Sequence, residues 1–255
     1  MEEHKMKLIN SSFAFLVAAL LLGCSKEAPA PSAQPAAPAP IAIDQTTAGA
    51  VTGVVTFKGA APKFPLLDMT SDPGCPKKPE PADVVLLKDG KLANVFVYIK
   101  KGLPQGTFTP PGTPVVLTQK GCRYSPHIIG IMAGQAFTVL NQDTADHNIH
   151  SMSSGNVPFN ESQSPTDKPI VKTFRYPEMK MVLECDQHQW MRAYVNVMSH
   201  PYFAVSAADG SFTIPDLPPG EYTLAAVHEK FGEQTMKIKV GPKQNVKADF
   251  GFAMN

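Results

Sequence analysis

The sequence predicts an all-β protein, and three observations lead to that fold class. Short segments in which apolar and polar residues alternate recur along the chain, as is typical of half-buried strands. The 255 residues include 25 Pro and 18 Gly, which interrupt these segments at short intervals. Segments with helical periodicity are scarce. About two hundred residues follow the N-terminal segments, enough for one large or two small domains.

Residues 1–24 have the features of an export signal. Basic residues precede an apolar run that ends before Cys24, and the run suits a signal-peptide core better than a membrane span. Leu21 to Cys24 resembles a bacterial lipobox, which implies that Cys24 is lipidated and anchors the protein in the cell envelope, facing the periplasm. Ser25 then points to the outer membrane. An uncleaved anchor or ordinary secretion is the alternative.

Residues 25–48 are predicted to form a linker. Residues 28–40 are rich in Ala and Pro and carry no charge, so they cannot bury a core and are expected to form a semi-extended tether.

Alternating segments flank the middle of the chain. Residues 49–57 alternate, and so do residues 95–99, which follow an Asp89-Gly90 turn. Residues 134–141 are predicted to be a buried strand, and residues 208–224 are predicted to form strand, turn and strand.

The most informative motif is Cys185, His188 and Met191, spaced as Cys-x₂-His-x₂-Met, with His147 upstream. One thiolate, two imidazoles and one thioether are the donors of a trigonal copper site with a weak axial Met. This spacing allows one loop to surround a single ion, whereas a helix would spread the three side chains over its surface.

Strands are predicted on both sides of this loop. Residues 179–185 alternate with period two and direct Cys185 inward, and residues 193–197 alternate again. The alternative is a helix that begins at Pro177, because Glu, Met, Lys and Leu favour helices.

The segment from about Pro114 to Met198 resembles a cupredoxin, with the short ligand loop of the amicyanin type. The resemblance implies a Greek-key β-sandwich over residues 109–200 with one type 1 (blue) copper bound by His147, Cys185, His188 and Met191. It also implies that Asn148 braces the loop near the Cys185 sulfur, and that electrons pass through the edge of His188.

Each of these side chains also has an ordinary interpretation. His150 could replace His147 as a ligand, although a surface position is favoured for it. Met191 could be a core residue, and Cys185 could belong to a disulfide.

The remaining cysteines, Cys75 and Cys122, are expected to form a disulfide in an oxidising compartment. A bond between Cys122 and Cys185 is the alternative, and it would abolish the copper site.

The flanks resemble a second family. Residues 49–57 and 208–224 resemble parts of a carboxypeptidase regulatory-like domain, a small transthyretin-like β-sandwich. The resemblance implies a discontinuous sandwich made of residues 49–108 and 201–255, with the cupredoxin inserted between them. Two abutting β units, or one enlarged cupredoxin, are the alternatives.

Together these features predict a membrane-tethered electron carrier with unidentified redox partner proteins. The alternatives are a non-redox copper protein for storage, delivery or sensing, and an adhesion or sugar-binding module with a vestigial metal site. No enzymatic activity is expected, because the chain has no His-Glu-x-x-His motif and no further histidine cluster. The net charge is +1 without a basic stripe, so nucleic acid is not an expected partner.

Overall fold

Strands make up the regular secondary structure of the described part of the chain. The computed structural model describes residues 40–254, with nineteen strands and no helix in that range. The predicted all-β fold class is confirmed. The strands are β1 (Gly49–Lys58), β2 (Leu87–Lys88), β3 (Lys91–Leu92), β4 (Phe96–Lys101), β5 (Val115–Gln119), β6 (Tyr124–Ser125), β7 (Ile128–Met132), β8 (Ala136–Asn141), β9 (His147–Met152), β10 (Asn160–Gln163), β11 (Ile170–Thr173), β12 (Glu178–Glu184), β13 (Arg192–Met198), β14 (Phe203–Val205), β15 (Ser211–Leu217), β16 (Gly220–His228), β17 (Gly232–Val240), β18 (Asn245–Lys247) and β19 (Phe250–Ala253).

The predictions for the N-terminal segments concern residues that precede the described range. The predicted signal segment 1–24, the predicted lipidation at Cys24 and most of the linker lie outside the described residues. No helix between residues 40 and 254 has the length and apolarity needed to cross a membrane.

The strands form four sheets. One contains β15, β1, β3 and β2 in that order, with β18 and β19 also paired to β1, and a second runs β14, β4, β16, β17. The third runs β10, β9, β12, β13, β7, and the fourth runs β11, β8, β5, β6. The chain therefore builds the first two sheets from its two ends and the last two from its middle. The boundaries proposed for the domains stay a prediction.

Two large apolar cores lie between these sheets, one within the first pair and one within the second. The first core takes buried residues from 51–99 and 202–252, and the second takes them from 69–197. Met69 and Cys75 pack in the second core, although the predicted boundaries assign them to the flanking sandwich. The reason is a disulfide that ties Cys75 to Cys122 and so draws this segment onto the middle of the chain.

A third, smaller apolar cluster joins the two halves. Phe96 and Val227, from β4 and β16, pack there with Ile128 and Met198, from β7 and β13. Gly130 lies at this contact, and a Cβ on it would be 2.5 Å from the ring of Phe203. Glycine is needed here because the two sheets approach too closely for a side chain.

Local sequence explains the strands that carry the ligand motif. In β12, Met181 and Leu183 are buried and alternate with more exposed neighbours, so the strand interpretation is correct and the helix from Pro177 does not form. Hairpin pairing of β12 with β13 brings Glu184 opposite Arg192, which leaves residues 185–191 as the connecting loop.

The strand with the upstream histidine lies beside this hairpin. β9 pairs with β12, so that His150 is opposite Glu184. β10 pairs with the other edge of β9 and puts Gln163 opposite His147. β10 is a polar edge strand whose residues, Asn, Glu, Ser and Gln, lack an apolar pattern.

Candidate metal centre

Three predicted ligands come together at one end of the second core. His147 begins β9, while Cys185 and His188 lie in the loop between β12 and β13. Their possible ligand atoms all lie within 4.8 Å of one another, and all three residues are buried. The Nδ1 atoms of His147 and His188 are 3.0 Å apart, and the Cys185 sulfur is 3.7 Å from Nδ1 of His188.

A carboxylate holds the outer nitrogen of each histidine. Nε2 of His147 donates to Asp143 at 2.9 Å, and Nε2 of His188 donates to Asp72 at 3.1 Å. These contacts fix the ring orientation and leave both Nδ1 atoms directed inward as acceptors for a metal. The arrangement is therefore suited to binding, since both rings are held with Nδ1 directed toward the same space.

Burial and hydrogen bonds set the charges at the centre. Desolvation lowers the pKa of His147, although Asp143 opposes this effect, so the neutral ring is favoured. The backbone N–H of Gly74 lowers the pKa of Asp72, and the contact with His188 acts in the same direction. An ionised Asp72 thus faces a histidine whose other nitrogen is available for coordination.

Asn148 links the sulfur to the backbone of the ligand loop. Its Oδ1 lies 3.2 Å from the Cys185 sulfur and accepts the backbone N–H of Asp186 at 2.7 Å. Beneath them, the hydroxyl of Tyr124 donates to the backbone carbonyl of Asn148. Burial raises the pKa of Tyr124, with a further contribution from Cys185, so the phenol stays protonated and supports this strand.

Met191 closes the loop through its backbone. Its N–H donates to the carbonyl of His188 at 2.8 Å, and its own carbonyl accepts the N–H of Cys185 at 3.3 Å. Its side chain is 1% exposed and packs in the second core. The axial role of its thioether stays a prediction.

His150 is placed differently from the buried histidines. It is partly exposed, and its Nδ1 lies 2.9 Å from a carboxylate oxygen of Asp186. It does not belong to the buried group of possible ligands, which agrees with the surface position that the sequence favoured.

The disulfide joins Cys75 to Cys122, and Cys185 is a buried free cysteine. The alternative bond between Cys122 and Cys185 does not form. The sulfur of Cys75 lies 3.7 Å from Nε2 of His188, so the disulfide is in contact with the candidate ligand set.

Residues 67–83, here called the capping segment, cover His188. Asp72 and Cys75 both contact Nε2 of that ring, and His188 is only 2% exposed. The ring of His188 is thus covered, and the passage of electrons through its edge stays a prediction. The role of Asp72 was not predictable from the sequence, because no spacing rule connects it with a residue 116 positions away. Asp143 lies in a turn, where its backbone N–H donates to the side-chain oxygen of Asn141. The Asn and Asp of this turn are a weak signal in the sequence for a carboxylate near His147.

Trp190 offers a different connection to the surface. Its ring centroid is 5.1 Å from that of His188, and its indole N–H donates to the carbonyl of Cys122 at 2.9 Å. The side chain is partly exposed and lines a cleft of about 160 Å³ together with Leu67 and Arg123.

Fold and site together define a class: an all-β protein of two packed pairs of sheets with a buried two-histidine, one-cysteine cluster. A family model for the beta-sandwich domain of ER membrane protein complex subunit 7 matches residues 184–253. This range covers the C-terminal flank, for which the sequence suggested a carboxypeptidase regulatory-like sandwich. A comparison with curated proteins finds no match.

Solved structures of copper proteins are weakly similar to the chain. A copper-containing nitrite reductase from Thermus scotoductus is 19% identical, with 39% of this chain and 26% of that one covered and a TM-score of 0.32. The chain thus spans about a quarter of that protein. A purple cupredoxin from Nitrosopumilus maritimus is 22% identical over 33% of this chain and 99% of that one, with a TM-score of 0.29. An oxidised amicyanin mutant is 17% identical over 40% and 98%, with a TM-score of 0.30.

Proposed function

We propose that the protein is a one-electron carrier that binds a single copper ion through His147, Cys185 and His188, with Met191 as a weak axial ligand. Bound copper supplies a redox centre that alternates between Cu(I) and Cu(II). The chain supplies the donors, their orientation and the exclusion of water. The redox partners are proteins that meet the surface close to the ligand loop.

The observation that supports this proposal best is the pair of carboxylates behind the histidines. Asp143 and Asp72 each hold an Nε2 atom, and both Nδ1 atoms face the free sulfur of Cys185. Two imidazoles and one thiolate in a buried pocket suit copper in both oxidation states. A structural zinc site normally has four strong ligands, whereas this group offers three.

Burial supports an electron carrier over a copper-delivery protein. His147, Cys185 and His188 are 0%, 2% and 2% exposed, so an incoming metal acceptor has little access to the donors. Rigid, apolar surroundings also limit ligand rearrangement between oxidation states. Asn148 adds a fixed dipole next to the sulfur, and such contacts tune a metal centre.

A lipid anchor on Cys24 would place this carrier in the bacterial cell envelope. That part of the proposal rests on the lipobox resemblance. The disulfide between Cys75 and Cys122 supports an oxidising compartment such as the periplasm.

Optical and electron paramagnetic resonance spectra of the copper-loaded protein test the proposal. We expect an intense thiolate-to-copper absorption that Cys185→Ser abolishes, because the sulfur supplies that transition. His150→Gln is the matched control, since His150 lies outside the ligand group, and it should keep the colour. A coloured Cys185→Ser protein would refute the ligand assignment.

Reversible electrochemistry separates the carrier from a delivery protein. We expect a reversible one-electron wave, together with slow loss of copper to a chelator in excess. Rapid copper transfer without a reversible wave would instead favour storage or delivery. Failure to take up stoichiometric copper would favour an adhesion or sugar-binding module.

A further inference from the structure

We propose that Cys75, Cys122 and Nε2 of His188 form a second metal site, specific for Cu(I), when the disulfide is reduced by a dithiol. This site lies on the opposite side of the His188 ring from the proposed electron-transfer site. It goes beyond the proposed function and shares only this imidazole with it.

The donor atoms are already gathered. The sulfurs of Cys75 and Cys122 and the His188 ring nitrogen lie within 4.8 Å of one another, and all three residues are buried. Nε2 of His188 is 3.7 Å from the Cys75 sulfur and 3.1 Å from a carboxylate oxygen of Asp72. Once the sulfur–sulfur bond is broken, the two thiolates can surround one ion together with this nitrogen.

The donor types select the metal. Two thiolates make a soft site, of the kind that binds Cu(I) or zinc. A structural zinc site normally has four protein ligands, whereas this group offers the three donors that Cu(I) accepts. Asp72 is a hard oxygen donor, so it is not counted among the ligands, and the proton that leaves Nε2 on metal binding passes to solvent.

The capping segment makes the disulfide open to reduction although its sulfurs are buried. No strand is formed between Lys58, the end of β1, and Leu87, the start of β2. An isolated bridge between Leu67 and Glu80 is the backbone pairing that ties the segment together, and a turn bond joins Cys75 to Asp72. Segments with few backbone bonds open locally at a lower free-energy cost than paired strands do.

An external dithiol supplies the electrons that reduce the disulfide. A thiolate of the dithiol attacks one sulfur of the Cys75–Cys122 bond and forms a mixed disulfide, which the second thiol of the reductant then resolves. The protein gains two electrons and two protons as thiols, while the reductant becomes a disulfide. Cu(I) then displaces the thiol protons when it binds.

His188 couples the two sites. Its Nδ1 faces Cys185 and His147, and its Nε2 faces the disulfide. Binding of Cu(I) at Nε2 draws electron density from the ring and replaces its hydrogen bond to Asp72. We therefore expect the first site to hold copper less tightly when the second is filled.

Cu(I) stoichiometry of the purified full-length protein tests this inference. The metal-free protein is titrated with Cu(I) against a chromogenic Cu(I) chelator, before and after treatment with dithiothreitol and anaerobic desalting. We expect one equivalent in the disulfide form and two in the dithiol form. X-ray absorption of the second equivalent should show two sulfur ligands and one nitrogen. An unchanged stoichiometry after reduction would overturn the inference.

Two variants make the result specific. The double variant Cys75→Ser, Cys122→Ser should bind one equivalent under both conditions, and a second equivalent there would show that other residues bind it. Cys185→Ser removes the sulfur of the first site, so its gain of one equivalent on reduction isolates the second. Near-UV circular dichroism of the reduced protein should stay native, and its loss would also contradict a folded second site. A disulfide form that takes up no copper counts against the proposed function alone.

Discussion

Asp143 connects the candidate metal centre to the disulfide loop. One carboxylate oxygen accepts from Nε2 of His147 at 2.9 Å, and the carboxylate also accepts the backbone N–H groups of Gly121 and Cys122 at 2.5 and 2.8 Å. The Asp143 side chain thus orients His147 and also holds the backbone at Cys122, one of the two disulfide cysteines.

Replacing this carboxylate should weaken copper binding. We expect Asp143→Asn to lower the Cu(I) affinity by about 10- to 100-fold, the usual effect of losing a group that orients a metal ligand. Competition with a chelator measures the affinity. Asp146→Asn is the matched control, because Asp146 is exposed and lies outside the ligand group. Equal affinities in the two variants would contradict the role of Asp143.

Trp190 should carry electrons between the surface and His188. In the copper-loaded protein, we expect Trp190→Leu to leave the absorption spectrum unchanged, because the indole is not a ligand. The rate of electron exchange with a small inorganic complex should fall about tenfold, equivalent to about 1.4 kcal/mol of activation free energy.

The control for Trp190 is Tyr176→Leu, which removes an exposed aromatic ring outside the cleft. Its exchange rate should equal that of the unaltered protein. A normal rate in Trp190→Leu would mean that electrons reach the centre by another route.

The ligands were predictable from the sequence, but their supports were not. Cys185 and His188 stand three residues apart in a motif whose donor chemistry is distinctive, and His147 precedes a recognisable polar neighbour. Asp72 carries no such signal, because its contact with His188 depends on a disulfide and an irregular segment. Long-range contacts of this kind are set by tertiary packing, which no local pattern encodes.

At the scale of elements, one arginine attaches the C-terminal part of the capping segment. Arg123 contacts Asp83 at 2.8 Å and Glu80 at 3.4 Å, and it also donates to the carbonyl of Pro81 at 2.6 Å. These contacts hold that part of the segment beside the cleft that Trp190 lines.

Loosening this attachment should speed the loss of copper. We expect Arg123→Gln to keep the ligand absorption and to raise the rate of copper removal by a chelator about fivefold, the effect of about 1 kcal/mol from partly exposed ion pairs. Stopped-flow absorbance measures the rate. Arg175→Gln, at an exposed position, should have no effect. A rate that stays the same in Arg123→Gln would show that the segment does not limit access to the ligands.

Strand prediction succeeded where alternation is apolar and failed where it is not. The hairpin of β2 and β3 follows from Asp89 and Gly90, which adopt φ angles of 52° and 71°, as a tight two-residue turn requires. β10 contains Asn, Glu, Ser and Gln, which lack the apolar pattern of a strand. It forms because β9 leaves an edge to be paired, and this is a property of the fold.

For the whole molecule, the third apolar cluster decides whether the two halves unfold together. It is made from strands of both halves, with Phe96 and Val227 on one side and Ile128 and Met198 on the other. Nε2 of His127 also lies 2.6 Å from a carboxylate oxygen of Glu229 across the same boundary. We expect a single unfolding transition, because unfolding one half alone would expose the apolar side chains of this cluster on the other half to water.

A methyl group at Gly130 should weaken this coupling. Its Cβ would lie 2.5 Å from the ring of Phe203 and 2.8 Å from that of Phe96, and both rings are packed in the cluster. We expect Gly130→Ala to lower the free energy of unfolding by about 1–3 kcal/mol, the usual cost of overpacking. Gly112→Ala is the control, because a Cβ there meets nothing within 4 Å, and it should change the stability by less than about 1 kcal/mol.

Urea unfolding followed by circular dichroism reports both halves, while fluorescence of Trp190, the single Trp of the chain, reports the half with the metal centre. The two signals should coincide in the unaltered protein, and Gly130→Ala should shift the midpoint or separate the signals. Coincident curves with an unchanged midpoint would show that the halves are joined elsewhere.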